Sequence, residues 1–363
     1  MKQQVQTHME LLLNSNKIRY NKLSEMVKDI KINRIVNIYI DVNSLFDILY
    51  RTNNLEHFRT IDRDDNLTIS SQVINTIAHY RHYFYSRHQV STVFYLLYSN
   101  DVPSRYYTNL FPNYKKTYNS LRIEKQGKKP PLQENIERNM RLVNNICKYI
   151  PDAFLINVGR NDIGGTMQYL INTETNTSCT NLIYTNDKNY YQLVNNENTY
   201  VILNKQEHSK FISKGNLYKV LTKKDEYNDI PSELYKIILA LTGNKKYDVP
   251  GIRGVQTIKA LKLIRKAIDQ DIIYNTEYDS ISSVLDNLIK YKIIPEENRE
   301  VVERNFKLFN ISMIAKTLSE AYMDNIDSQM VTNTDYDQLM FVSNKYYQYQ
   351  PLMFLELVET FNK

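Results

Sequence analysis

The chain has no tryptophan, only eight glycines and nine prolines, and two cysteines among its 363 residues. Cys147 and Cys179 are too few for a disulfide framework or a metal knuckle, and they read as two reduced thiols. Six histidines are scattered. The one close pair, His79 and His82 in "AHYRHYFYSRH", has no neighbouring acid or cysteine to complete a zinc set. No apolar run is long enough to span a bilayer, and residues 1–30 lack the basic-then-apolar layout of a secretory leader. The expectation is an intracellular protein, cytoplasmic or nucleoid-associated, with no membrane partner. Internal repeats and low-complexity linkers are also missing.

What is abundant is tyrosine, 30 residues of it, together with asparagine, isoleucine and lysine. That bias fits an AT-rich coding genome such as some viruses and phages carry, which adds an infected host cell to the candidate settings. The formal net charge is +6, mildly basic and compatible with a polyanionic partner.

Strand and helix patterns alternate through the first two thirds of the chain. "RIVNIYIDVNSLFDILYR" passes from an apolar strand to a helix with Asp41 at the junction. A helix around 70–88 leads to the strand "STVFYLLYSND", and "AFLINV", "NLIYTND" and "TYVILN" read as three more strands. This predicts an α/β fold with a mostly parallel central sheet flanked by helices. Four regions follow: an N-terminal helical extension over 1–35, an α/β core over 36–230, a helical module over 231–295, and a C-terminal helical tail over 296–363. The core contains a tyrosine- and lysine-rich segment, 103–130, that ends in the loop signal Lys128-Lys129-Pro130-Pro131. The N-terminal helices and the aromatic tail are the two places where a protein partner would dock.

The most specific local signal is "LTGNKKYDVPGIRGVQTIKALKLI", residues 241–264. A helix ends at Gly243, and a Gly-x-x-Gly turn, Gly251 to Gly254, leads into a second helix carrying Lys259 and Lys262. Glycines there let bare N–H groups approach a phosphate, and the lysines add charge for the same backbone. This is the form of a helix-hairpin-helix, which grips duplex backbone without reading sequence.

With this segment in view, the chain resembles the flap endonuclease and 5′→3′ exonuclease family. "LTGNKKYDVPGIRGVQTIKALKLI" is similar to that family's "GD–x–x–DN–x–PG–x–x–GIG–x–K–T–A" segment, and "YTNDKNYYQLV" to its "DKD" segment. "VGRNDIGGTM" falls where the family has "EADD", "LFPNYKK" where it has "EYK", and "NIYIDVNSLFDILYR" at its first strand. The five motifs stand in family order over about residues 36–265. The resemblance implies a PIN-like nuclease core, phosphodiester hydrolysis at branched, flap or 5′-ended DNA, and Mg²⁺ or Mn²⁺ held by clustered acids. It also implies an arch over 103–130, with Tyr106, Tyr107 and Tyr114 stacking on bases and Lys115 and Lys116 contacting phosphates.

The acids, carried over one at a time, are largely gone. The first-strand aspartate matches Asp41. The second-strand aspartate falls on Asn100, with Asp101 beside it. The glutamate of "EADD" falls on Gly159 and its aspartates on Asn161 and Asp162. Those of "DKD" fall on Asp187 and Asn189, and those of the "GD–x–x–DN" segment on Asn244 and Tyr247, with Asp248 next. The family arginine falls on Tyr118, with Arg122 one helical turn further. Asp41, Asp162 and Asp187 are therefore the residual catalytic and metal-binding candidates, with Asp101 and Asp248 in reserve.

An amide supplies a ligand dipole but no negative charge, so most of the anionic field that two divalent ions require is missing. Each remaining acid also has a plain structural role open to it. Asp41 would cap the strand-to-helix junction, Asp162 would cap the helix that follows, and Asp187 would close an Asx turn. Three readings stand: a DNA-binding protein of this fold with lost or weak hydrolysis, an active nuclease with a rearranged site using Asp101 and Asp248, or a scaffold that reuses the fold.

Overall fold

A computed structural model describes residues 32–45, 63–99, 105–115, 140–173 except 142 and 145–146, 179–195, 198–204, 209–273 and 281–330. The expected extension over 1–31, the tail beyond 330, Asp101, and Lys116 with the rest of the segment to 130 lie outside the described residues.

Five parallel strands carry the core: β1 (Ile35–Asp41), β2 (Ser91–Tyr98), β3 (Ala153–Asn157), β4 (Cys179–Tyr184) and β5 (Thr199–Asn204). A sixth, β6 (Ser209–Ile212), runs antiparallel to β5 at one edge. Its four residues, "SKFI", are too short to show a period, and the sequence pattern does not reveal it. The order is β3-β2-β1-β4-β5-β6. The chain builds outward from β1 to β3, then returns to β1's other side with β4. The order reverses between β1 and β4, and in open α/β sheets such a switch point opens a crevice at the carboxyl ends of the strands.

Side-chain alternation divides the sheet. Val36, Ile38 and Ile40 of β1 face helix α1 (Arg63–His88), packing with Val73, Ile77 and Phe84. Tyr39 points the other way and stacks on Tyr95 of β2 at 4.8 Å. That second face is covered by α3 (Ile163–Thr173) and by a helical layer that includes α5 (Tyr235–Thr242). A short helix, α2 (Arg105–Leu110), and α4 (Leu217–Thr222) complete the set so far.

Every residue of α5 from Tyr235 to Leu241 is buried, Lys236 included, and the other six are apolar or aromatic, as in a helix packed on all sides. Around it pack α6 (Thr257–Asp269), α7 (Ile281–Lys290), α8 (Arg299–Phe309), α9 (Ile311–Lys316) and α10 (Glu320–Ser328). One apolar cluster runs unbroken from Tyr39 in the sheet to Ile326 in α10. The described residues between 231 and 330 thus share one apolar core with the sheet. Cys147 and Cys179 are both buried, and burial pushes the Cys147 thiol pKa up to about 12.

Candidate acid cluster and phosphate-binding turn

Three carboxylates stand at the carboxyl ends of the strands. Asp41 is the last residue of β1, Asp187 follows β4, and Asp162 precedes α3 on the loop that leaves β3. Because β1 and β4 are neighbours at the switch point, topology alone brings Asp41 and Asp187 to one crevice.

Each acid is held by the chain's own donors. Asp41 Oδ1 accepts the Ser44 N–H at 3.1 Å, while Oδ2 accepts the hydroxyls of Ser44 at 2.6 Å and Thr185 at 3.0 Å. Asp162 Oδ1 accepts the Gly165 N–H at 2.7 Å, the N-cap bond of α3. Its Oδ2 accepts the Tyr107 hydroxyl at 2.6 Å. Asp187 Oδ1 accepts the Asn189 N–H at 2.9 Å and closes an Asx turn. Its Oδ2 takes the Tyr247 hydroxyl and lies 3.7 Å from Lys246 Nζ. All three structural roles anticipated from the sequence are present. Burial raises the pKa of Asp41 and Asp162, and these hydrogen bonds pull it partly back.

The amides that replace acids pair as acids cannot. Asn244 Nδ2 donates to Asn189 Oδ1 at 3.2 Å. Two carboxylates at that distance would repel and require a cation between them, whereas two amides bond directly. Asn244 Oδ1 also caps the Lys246 N–H at 2.9 Å. Gly159 occupies a left-handed turn at φ 61°, with its N–H on Asn157 Oδ1 at 2.9 Å. Asn161 is exposed on the same turn.

Tyrosine rings fill the space around the acids. Tyr107, Tyr114 and Tyr247 form a three-ring stack, with centroids 4.6 and 5.3 Å apart. Tyr190 lies buried in the field of Asp41, Asp162 and Asp187; burial first, then these charges, push its hydroxyl well above the usual tyrosine range. The expected role of Tyr107 and Tyr114 as base-stacking platforms is therefore corrected. Both are buried, and the stack occupies their faces. Tyr106 is partly buried, and its hydroxyl donates to the Lys307 carbonyl at 2.8 Å. Lys115 keeps its side chain at the cluster, 5.0 Å from the Tyr247 ring centroid.

A hard cation needs several oxygen lone pairs directed into one cavity. Here those lone pairs receive hydroxyl and backbone donors, and an ammonium group stands beside the central carboxylate. Among the described residues, no three Asp, Glu, His or Cys side chains are close enough to hold one ion. Asp248 adopts φ 59°, and its backbone N–H closes the 3₁₀ turn Lys245–Tyr247. The described residues do not assemble a divalent-ion site.

The second candidate region is the turn from α5 to α6. Strands β7 (Gly243–Asn244) and β8 (Val249–Pro250) form a tiny hairpin, and the chain then turns into α6. A Cβ on Gly251 would lie 2.2 Å from the Thr242 carbonyl carbon, so packing against the end of α5 requires this glycine. Close backbone packing alone accounts for Gly251. Gly254 differs: it has φ 76°, is exposed, and has nothing within 4 Å of its Cβ position. Lys259 and Lys262 are exposed on the α6 face opposite its buried Ala260, Leu261 and Ile264. Arg253, at the tip of the turn, is exposed too and was missed, although it sits inside "GIRG".

No protein-family model matches the chain, and no curated protein sequence does. Solved structures do. The bacteriophage T5 flap endonuclease in a pseudo-enzyme–product complex with DNA and metal ions aligns at TM-score 0.53 and 15% identity, over 90% of this chain and all of that one. The chain has the flap-endonuclease fold. The same phage protein co-crystallised with metal ions gives TM-score 0.55 at 12% identity, over 85% and 99% of the two chains. The T5 5′-exonuclease with bound zinc gives 0.53 at 13%, over 86% and 98%. Within that fold, two side chains that sequence reasoning did not weigh stand out, Lys246 and Tyr190. The available signal was "NKKYD", a Lys-Lys-Tyr run where the family motif ends in an acid.

Proposed function

We propose that this protein binds branched or 5′-ended DNA through the flap-endonuclease fold and does not hydrolyse it. The observation that carries the reading is the occupation of all three surviving carboxylates by internal donors, with Tyr247 and Lys246 on Asp187. Hydrolysis by metal-activated water needs open coordination positions on a correctly placed ion. Here each acid is committed to hydroxyl, backbone or ammonium partners, so no hydrolytic step is derived. Arg253, Lys259 and Lys262 around the open Gly254 turn support phosphate contacts of a helix-hairpin-helix kind, where charge sets affinity without reading sequence. The T5 flap endonuclease complex holds both DNA and metal ions, and only the DNA is carried over to this chain.

The test uses a labelled 5′-flap duplex. Salt-sensitive binding without cleavage in Mg²⁺ or Mn²⁺ supports the reading. Cleavage abolished by Asp187→Ala would contradict it and favour a rearranged active site. No binding at low salt would leave a scaffold role.

A further inference from the structure

We propose that Asn305 of α8 is the positioning residue of the phosphate-binding turn: its buried amide holds the two carbonyls on which the Gly251–Gly254 turn is seated, and so sets how Arg253 meets a DNA backbone. The proposal rests on the reading that this turn grips duplex phosphates.

The tip of the turn has little to hold it. Gly254 stands at φ 76° with nothing within 4 Å of its Cβ position, and Arg253 beside it is exposed. A cation on such a tip points where the base of the turn aims it. The base is therefore the part that has to be fixed, and α8 fixes it.

The last carbonyls of α5 have no acceptor role left inside the helix and must find donors elsewhere. Leu239 O accepts the Gly243 N–H, and Leu241 O accepts the Ile252 N–H at 2.9 Å. Between them, Ala240 O accepts Asn305 Nδ2 at 3.0 Å. The same nitrogen donates to Pro250 O, the carbonyl immediately before Gly251, at 2.8 Å. One amide thus ties the end of α5 to the start of the turn, across the hairpin of β7 and β8. Asn305 is 0% exposed, so water does not stand in for it. Its Oδ1 accepts from Arg304, at 3.2 Å from Nε and 2.9 Å from Nη2. Arg304 Nη2 also lies 3.4 Å from Pro250 O, and the guanidinium sits 4.7 Å from the Phe111 ring centroid. With both amide donors and the amide oxygen engaged, the Asn305 side chain has one orientation. The Tyr106 hydroxyl bonds the Lys307 carbonyl, which anchors α8 on α2 while it holds the turn. An apolar residue at 305 would pack against α5 equally well; what the amide adds is the hold on the two carbonyls.

The experiment measures binding of a labelled 5′-flap duplex by fluorescence anisotropy across a salt series, at a temperature where melting curves show the variants folded. Arg253→Ala should weaken binding about tenfold and lower the salt slope by about one, as loss of one phosphate contact does. Asn305→Leu should do the same without removing any charge, because the arginine is present but no longer aimed. Combining the two should cost little more than either alone, a non-additivity that a general loss of stability does not produce. Arg304→Lys keeps the charge and loses the planar fork on Asn305, so it should reproduce part of the loss. Full-strength binding by Arg253→Ala or by folded Asn305→Leu, or additive losses in the double variant, would overturn the positioning role while leaving the DNA-binding reading in place. If Asn305→Leu does not fold, Arg304→Lys decides, and full-strength binding by it would overturn the role in the same way. Absence of binding by the intact protein would overturn both.

Discussion

The Tyr247 hydroxyl donates to the Asp187 carboxylate at the position where the resembled family carries an acid of its own. A side chain that would add charge to a metal cluster is replaced by one that hydrogen-bonds the charge already there. The two residues stand 60 positions apart in the chain, and their contact joins the sheet's carboxyl edge to the helical layer.

That contact predicts a cost when it is removed. Tyr247→Phe leaves a buried carboxylate oxygen with only the Lys246 ammonium nearby. It should lower unfolding free energy by about 1–3 kcal/mol, read from urea denaturation. An unchanged midpoint would show that the bond contributes nothing.

Tyr107 and Asp162 make the equivalent pair at the second acid. Tyr107→Phe and Asp162→Asn should each destabilise, and the double variant should lose less than the sum. A double-mutant cycle is expected to give a coupling of about 1 kcal/mol or more. Additivity would mean that the two groups do not act on each other.

The fold was legible where strands were long and apolar. β1, β2 and β5 lie where their patterns place them, and the parallel sheet follows from their alternation with helices. The three caps were legible as well, because an acid at a strand-to-helix junction has few other local partners. Tyr107 and Tyr114 were misassigned for a physical reason: in a chain this rich in tyrosine, the residue type does not distinguish an exposed platform from a buried ring. The packing requirement at Gly251 was not legible, because spacing does not distinguish a glycine required by packing from one required by a ligand. The Asn189–Asn244 bond and the Lys246 contact were invisible because both join distant segments through side chains.

The acids also set a pH dependence. Asp41 and Asp162 have pKa values raised by burial above the usual value near 3.8. A raised folded-state value contributes stability below the unfolded pKa, and that contribution is lost as pH rises through the folded value. Their share of stability should therefore increase as pH falls toward about 4, opposite to groups with depressed values. Comparing Asp41→Asn with the intact protein by thermal melting should show a larger deficit at about pH 4 than at about pH 7. A deficit that shrinks on acidification would contradict the sign.

The two glycines of the α5–α6 turn should behave differently. Gly251→Ala drives a Cβ into backbone and should cost about 1–3 kcal/mol or more. Gly254→Ala meets open space and pays only for its left-handed φ, about 1 kcal/mol. Chemical denaturation of the two variants side by side checks the order.

The α6 lysines test the phosphate grip. Replacing both Lys259 and Lys262 by alanine should weaken duplex binding for every sequence alike and reduce the salt slope by about two. A change confined to one DNA sequence would argue against backbone contact.

The most direct measurement follows one labelled 5′-flap duplex for binding and cleavage in the same reaction, in about 10 mM Mn²⁺, enough to fill weak oxygen sites. A DNA-binding protein without hydrolysis should give a saturable, salt-sensitive complex from which the DNA is recovered intact. Cleavage products that disappear on Asp187→Ala would contradict it.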